Sequence, residues 1–324
     1  MISHASSAGE TGTSLLADLP LPRLSVLLGL LQPHGARLGS DEYSFNTPLE
    51  LALAELRDVA VAVDSDAAAP ARREALAGTL PTAAWLAHRH GLSAAGQTWA
   101  WALLTPLHLS VGSDQITALA PAALNLSEAE SREFFAALAE LWPADEGWQS
   151  HWIAPTQWLI AHSKLAGLAS ASLDRVVQRS VDAWMPQARG LRTLQNEVQM
   201  LLHGQALNDA REARGALPLN SVWISGCGAA EATALPADLQ LEERLREPLL
   251  NGDWAAWAEA WRALDAGPVA QALALATGGQ PVQLTLCGER HAQSYTLPQR
   301  TPLRQLWQRL LPPQADTARL LGSL

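Results

Sequence analysis

The stretch LNDAREARGALPLNSVWISGCG, residues 207–228, restricts the fold more than any other part of the chain. A helix running through its first half cannot pass Gly215 and Pro218. Glycine suits the left-handed position just past a helix end, and proline has no N–H with which to continue. Residues 221–225 alternate as a strand does, with Val222 and Ile224 on one side and Ser221, Trp223 and Ser225 on the other. Gly226 and Gly228 then allow a tight turn or a close approach of the backbone to another group. A helix, a sharp stop and a strand in so short a span require helices and a sheet in one fold.

Just upstream, Gly204 is expected to interrupt the preceding helix. Asn208 reads as the N-cap of a short second helix, with Asp209 in its first turn. Arg211 and Arg214 are three residues apart and share one face of that helix's last turn. Two readings of the pair stand side by side. They complement the helix dipole and bond the terminal carbonyls, or they form a two-arginine clamp on a phosphate or carboxylate. The glycine spacing is not a dinucleotide fingerprint, because the third glycine would fall at Glu231 and no helix start comes after it.

The same mixture of periods recurs along the chain. LHLSVGSDQITALAP (107–121) alternates on both sides of Gly112-Ser113-Asp114 and predicts a β-hairpin. Ser127 and Glu130 form a capping box ahead of an apolar helical stripe. SHWIAP and QWLIAHS predict a pair of strands, and Leu191, Leu194, Val198, Leu201 and Leu202 share one face of a helix. Trp254, Trp257, Trp261 and Leu264 form a helical stripe expected in a core. A hairpin over PVQLTLCGERHAQSYTL and a terminal helix around LRQLWQRLL complete the chain.

The fold class expected is α+β, a mixed sheet packed with helices, with a mainly helical N-terminal part. The organisation expected is a disordered tail over 1–14, a mainly helical region over 15–95, an α+β core over 96–228, and a helix and hairpin region over 229–324 packed on that core.

Composition narrows the function. With a net charge of -10 and no cluster of Lys or Arg, neither a nucleic-acid groove nor an anionic membrane surface is expected as a partner. The apolar run LSVLLGLL is too short to span a bilayer, and MISHASSAGETGTS lacks the regions of a signal peptide. Cys227 and Cys287 are far apart and show no ligand spacing, so a reducing cytoplasm is expected, and Cys227 reads as a small packing residue. No Walker loop or Gly-x-Ser-x-Gly elbow is found.

The string NEVQMLLHGQALNDAREARGALPLNSVWISGCG (196–228) resembles a proteobacterial family described as RpfE-type regulatory proteins or cofactor-independent phosphoglycerate mutase-like proteins. The matching positions are Asn196, Glu197, Gln199, Met200, Asn208, Arg211, Gly215, Asn220, Ser221, Trp223, Gly226 and Gly228. Upstream, Pro106, His108 and Leu109 keep the family's pattern, while Thr105 and Leu107 depart from it. The likeness covers about residues 95–228 and is distantly similar to the substrate-handling region of archaeal-type phosphoglycerate mutases. It implies a region built around a phosphorylated acid. The polar positions Asn196, Glu197 and Gln199 are expected to form a network between helix and sheet.

Archaeal-type mutases need a hydroxyl activated by two metal ions held by clustered Asp and His ligands. The nine histidines here do not fall in such clusters, and GSDEYS, with Ser40, and TPLELA echo mutase motifs only briefly. No catalytic residue, metal ligand or cofactor is assigned. The reading is a non-catalytic binding or regulatory protein, with Asn208, Arg211, Arg214, Asn220 and Trp223 lining a pocket for a small phosphorylated or carboxylate ligand. The alternatives are a metal-dependent mutase or phosphatase with rearranged ligands, and a structural protein whose Trp-rich C-terminal third binds a protein partner.

Overall fold

A computed structural model describes residues 16, 19–39, 47, 49–50, 81–92, 99–229, 238–288, 291–299 and 311–324. In chain order the first elements are α1 (Pro22–Leu30), β1 (Gln32–Gly39), α2 (Thr82–Arg89), β2 (Ala100–Leu107), β3 (Leu109–Val111) and β4 (Ile116–Ala118). Next come α3 (Glu128–Ala137), β5 (Gln149–Ala154), β6 (Gln157–Ala161), α4 (Arg189–His203), α5 (Ala206–Ala213) and β7 (Ser221–Ala229). The chain ends with α6 (Arg246–Leu250), α7 (Trp254–Ala266), α8 (Pro268–Thr277), β8 (Gln283–Cys287), β9 (His291–Thr296) and α9 (Thr317–Gly322). The fold is α+β, with antiparallel sheets. Among the described residues, no helix is long and apolar enough to cross a membrane.

The described residues fall into two compact units. One holds those up to 47 together with those from 238 onward, and the other holds those from 49 to 229. In the first unit, β1, β9 and β8 form an antiparallel sheet in that order. Within residues 15–95 the described residues form the helices α1 and α2 and the strand Gln32–Gly39. Its partner β9 lies far along the chain, so the pairing that makes it a strand leaves no local signal. The tryptophan stripe is core: Trp257, Trp261 and Leu264 are buried with Leu24, Leu27 and Leu286. The Trp254–Trp257 and Trp257–Trp261 pairs meet edge to face at 6.1 Å. Asp265, at the end of the same helix, accepts a 2.8 Å hydrogen bond from Leu24 N and so satisfies a first-turn donor of α1.

The second unit is built on a four-stranded antiparallel sheet ordered β5-β6-β2-β7. Strands β6, β2 and β7 are buried almost throughout because both faces are covered, whereas β5 is half-buried. On one face Ala102, Leu104, Ile160, Val222 and Ile224 pack with Leu191, Leu194, Val198 and Leu202 of α4. On the other, Trp101, Leu159 and Ala161 pack with Ala83, Ala84 and Ala87 of α2. The expected hairpin around Gly112-Ser113-Asp114 is β3–β4, and the expected strand pair is β5–β6. The tail over 1–14, GSDEYS beyond Gly39 and most of the helix expected around 303–311 lie outside the described residues.

Gly226 has φ +64° and sits where the β2–β7 register shifts between Trp101 and Leu103, as in a bulge with one extra residue. The extra residue resets the alternation, so that Cys227 joins Val222 and Ile224 in one core. A Cβ at Gly226 would meet the start of α2, colliding with the Thr82 hydroxyl and approaching Ala83 N to 2.8 Å. Both the positive φ and the contact exclude a side chain. Gly226→Ala is therefore expected to destabilise the protein by about 2–5 kcal/mol in urea unfolding. Gly204→Ala, at φ -94° with nothing within 4 Å, is expected to stay within about 0.5 kcal/mol.

Candidate functional site

Residues 214–220 run from the end of α5 to the start of β7 without regular structure. Backbone polar groups in such a linker must find other partners, and side chains supply them one residue after another. Arg211 Nε donates to Leu217 O at 2.7 Å. His108 Nδ1 donates to Pro218 O at 2.8 Å. Asn208 takes both polar groups of Leu219: Nδ2 donates to its carbonyl and Oδ1 accepts from its N–H, each at 2.8 Å. Asn220 reaches across to Leu109, accepting from its N–H at 2.7 Å and donating to its carbonyl at 2.9 Å.

This corrects the expectation that Asn208 is an N-cap. Gln205 precedes α5, and Asn208 lies within the helix and is buried. Its second Nδ2 hydrogen donates to Leu202 O at 2.8 Å, so one amide serves the end of α4 and the linker together. Gly215, at φ +74°, ends α5 in the left-handed conformation as expected. Gly204 closes α4.

Arg211 is 1 % exposed. Besides Leu217 it donates to Leu124 O, and its Nη1 reaches Glu130 Oε1 at 2.9 Å. Arg214, half exposed, donates to the same Oε1. Both guanidinium groups therefore converge on one carboxylate, and that carboxylate is the chain's own. The carbonyls that Arg211 bonds, those of Leu217 and Leu124, lie outside α5, so it does not serve the terminal carbonyls of its own helix.

Glu130 is held from its other side by the expected capping box. Ser127 Oγ donates to Oε2 at 2.9 Å, Ser127 N donates to it at 3.3 Å, and Glu130 N donates to Ser127 Oγ. Burial by itself raises the Glu130 carboxyl. The bonds from Arg214 and Ser127 and the charge of Arg211 outweigh it and hold the group at about 2. The carboxylate side chain remains 23 % exposed, so the clamp opens to solvent at Glu130 and Arg214.

The remaining expected residues serve the frame. Trp223 is buried and donates its indole N–H to Ala171 O at 2.8 Å. Gln199 donates to Ser221 Oγ at 3.1 Å, and Gln195 to Val222 O at 3.3 Å, joining α4 to β7 by polar bonds. Asn196 and Glu197 are exposed on α4, so the residue that joins Gln199 in bridging to β7 is Gln195. Cys227 is buried with Ser170 donating to its Sγ at 3.6 Å, and burial pushes the thiol up to about 11.

His162 stacks on Trp148 at 4.5 Å, and His151 lies 5.7 Å from Trp101, where burial lowers its imidazole pKa. Among the described residues, no group of three or more His, Cys, Asp or Glu is arranged to hold a metal ion.

Ion pairs between distant positions carry no local sequence signal. The spacing around Glu130 points only to a capping role, because 81 positions separate it from Arg211. Arg175 and Glu50, 125 positions apart in the second unit, form a buried pair at 3.4 Å.

No family model matches the chain, and no curated protein matches it. Among solved structures, a cofactor-independent phosphoglycerate mutase from Thermoplasma acidophilum DSM 1728 is similar at a TM-score of 0.34 and 12% identity. The match covers 100% of this chain and 94% of that one. A likeness of that size is too slight to carry an argument about fold or activity.

The position of Glu130 gives a pH signature. A carboxyl whose folded value lies below its ordinary 4.5 contributes stability above 4.5 and loses it as pH falls from there toward 2. The melting-temperature gap between the wild type and Glu130→Gln should be widest near neutral pH and narrow steadily below 4.5. A gap that does not change with pH contradicts the ionised clamp.

Proposed function

We propose that this protein is a binding or regulatory protein without catalysis of its own, and that Arg211 and Arg214 form its anion site. The observation that carries the reading is the convergence of both guanidinium groups on one oxygen, Glu130 Oε1, at a place open to solvent. A phosphate or carboxylate is bound by the same geometry: two charge-assisted donors fixed in direction by the protein. Arg211 is buried and anchored on two carbonyls, so it supplies a fixed positive charge. Arg214 is the accessible member. Asn208, Asn220 and Trp223 act one step away, by holding the linker and the strand that position α5.

The ligand class is a small phosphorylated or carboxylate compound, in keeping with the resemblance of residues 95–228 to RpfE-type and phosphoglycerate mutase-like proteins. Affinity in the wild type is modest on this reading, because an incoming anion competes with a carboxylate already tethered in place. A thermal-shift titration tests it with 3-phosphoglycerate and inorganic phosphate, using chloride at matched ionic strength as the control. The wild type should be stabilised in a dose-dependent way at millimolar concentrations, and Arg214→Ala should lose the shift. Equal responses to phosphate and to chloride would remove the site.

A further inference from the structure

We propose that Glu130 is a built-in competitor for the anion site, an autoinhibitory side chain that occupies the two arginines until a stronger anion displaces it. The inference rests on the reading of Arg211 and Arg214 as an anion site and adds how that site is controlled.

Three observations support it. The carboxylate oxygen that meets both guanidinium groups belongs to a helix remote in sequence, so the contact is a tertiary one and can be exchanged without unfolding α5. The other oxygen, Oε2, is bonded to Ser127 N and Oγ, which lie on the exposed start of α3. Glu130 therefore has a second resting place: rotated away from the arginines, it keeps its capping bonds to Ser127. Finally, the cluster is asymmetric. Arg211 keeps its bonds to Leu217 O and Leu124 O whichever anion is present, whereas Arg214 and Glu130 are the partly exposed members that can move.

A dianionic phosphate brings more charge and more acceptor oxygens to the pair than a single carboxylate does. The exchange therefore favours phosphoryl groups over simple carboxylates. It releases Glu130 toward Ser127 and loosens the link between α3 and the end of α5. Occupancy of the site is thereby reported to the surface at α3.

Glu130→Gln separates the two ideas, because glutamine keeps the capping-box bond to Ser127 through its carbonyl oxygen, while its NH2 is a donor and cannot accept from the arginines. With no counter-charge on buried Arg211, this variant should melt about 5–10 °C below the wild type without added anion. Inorganic phosphate should restore the loss in a dose-dependent way, with a midpoint about tenfold below that of the wild type. Glu130→Gln/Arg214→Ala should not be rescued. If the wild type responds to phosphate through Arg214 but Glu130→Gln has the same midpoint, the autoinhibitory role is overturned and the anion site stands. If neither protein responds, both fall. Circular dichroism at low temperature checks that each variant is folded before the titration.

Discussion

The organisation of the second unit depends on the cost of leaving backbone polar groups without partners. Residues 217–220 join a helix to the buried strand β7 and make no regular structure of their own. Arg211, His108, Asn208 and Asn220 each serve one residue of that linker or use one to reach another strand. A single buried N–H or carbonyl left unbonded costs about 1–3 kcal/mol, so these side chains allow Leu219 to be buried and its half-buried neighbours to pack against the unit. β7 can then enter the sheet beside β2 in the register that places Val222 and Ile224 against α4.

The arginine pair grows out of the same arrangement. Arg211 is drawn into the interior to reach the carbonyls of Leu217 and Leu124, and its charge must be balanced there. Glu130 supplies the balance from α3, and Arg214, one turn on, is brought to the same oxygen. A structural need thus brings two guanidinium groups, one buried and one accessible, to a single carboxylate oxygen. The first unit solves a similar problem with Asp265, which serves the amide of Leu24 at the start of α1.

Much of this is legible in the sequence where the signal is local. The capping box at Ser127 and Glu130, the hairpin around Gly112, the strand pair β5–β6, the stop at Gly215 and the tryptophan stripe all follow from spacing. Arg211 and Arg214 are legible as two donors on one face. The identity of their partner is not legible, because nothing near Glu130 records a pairing across 81 positions. Asn208 misleads for a related reason: its type and place fit a cap, but the bonds available to it at Leu202 and Leu219 exist only once the linker has folded back. The strand Gln32–Gly39 depends on a distant partner in the same way.

The central claim is that the carboxylate of Glu130 stands where a ligand anion binds. It is tested most directly by a crystal structure of Glu130→Gln grown with inorganic phosphate. A phosphate bridging the guanidinium groups of Arg211 and Arg214, with the substituted side chain turned to Ser127, is the predicted result. Arg214 swung into solvent, with no anion against Arg211, would contradict it.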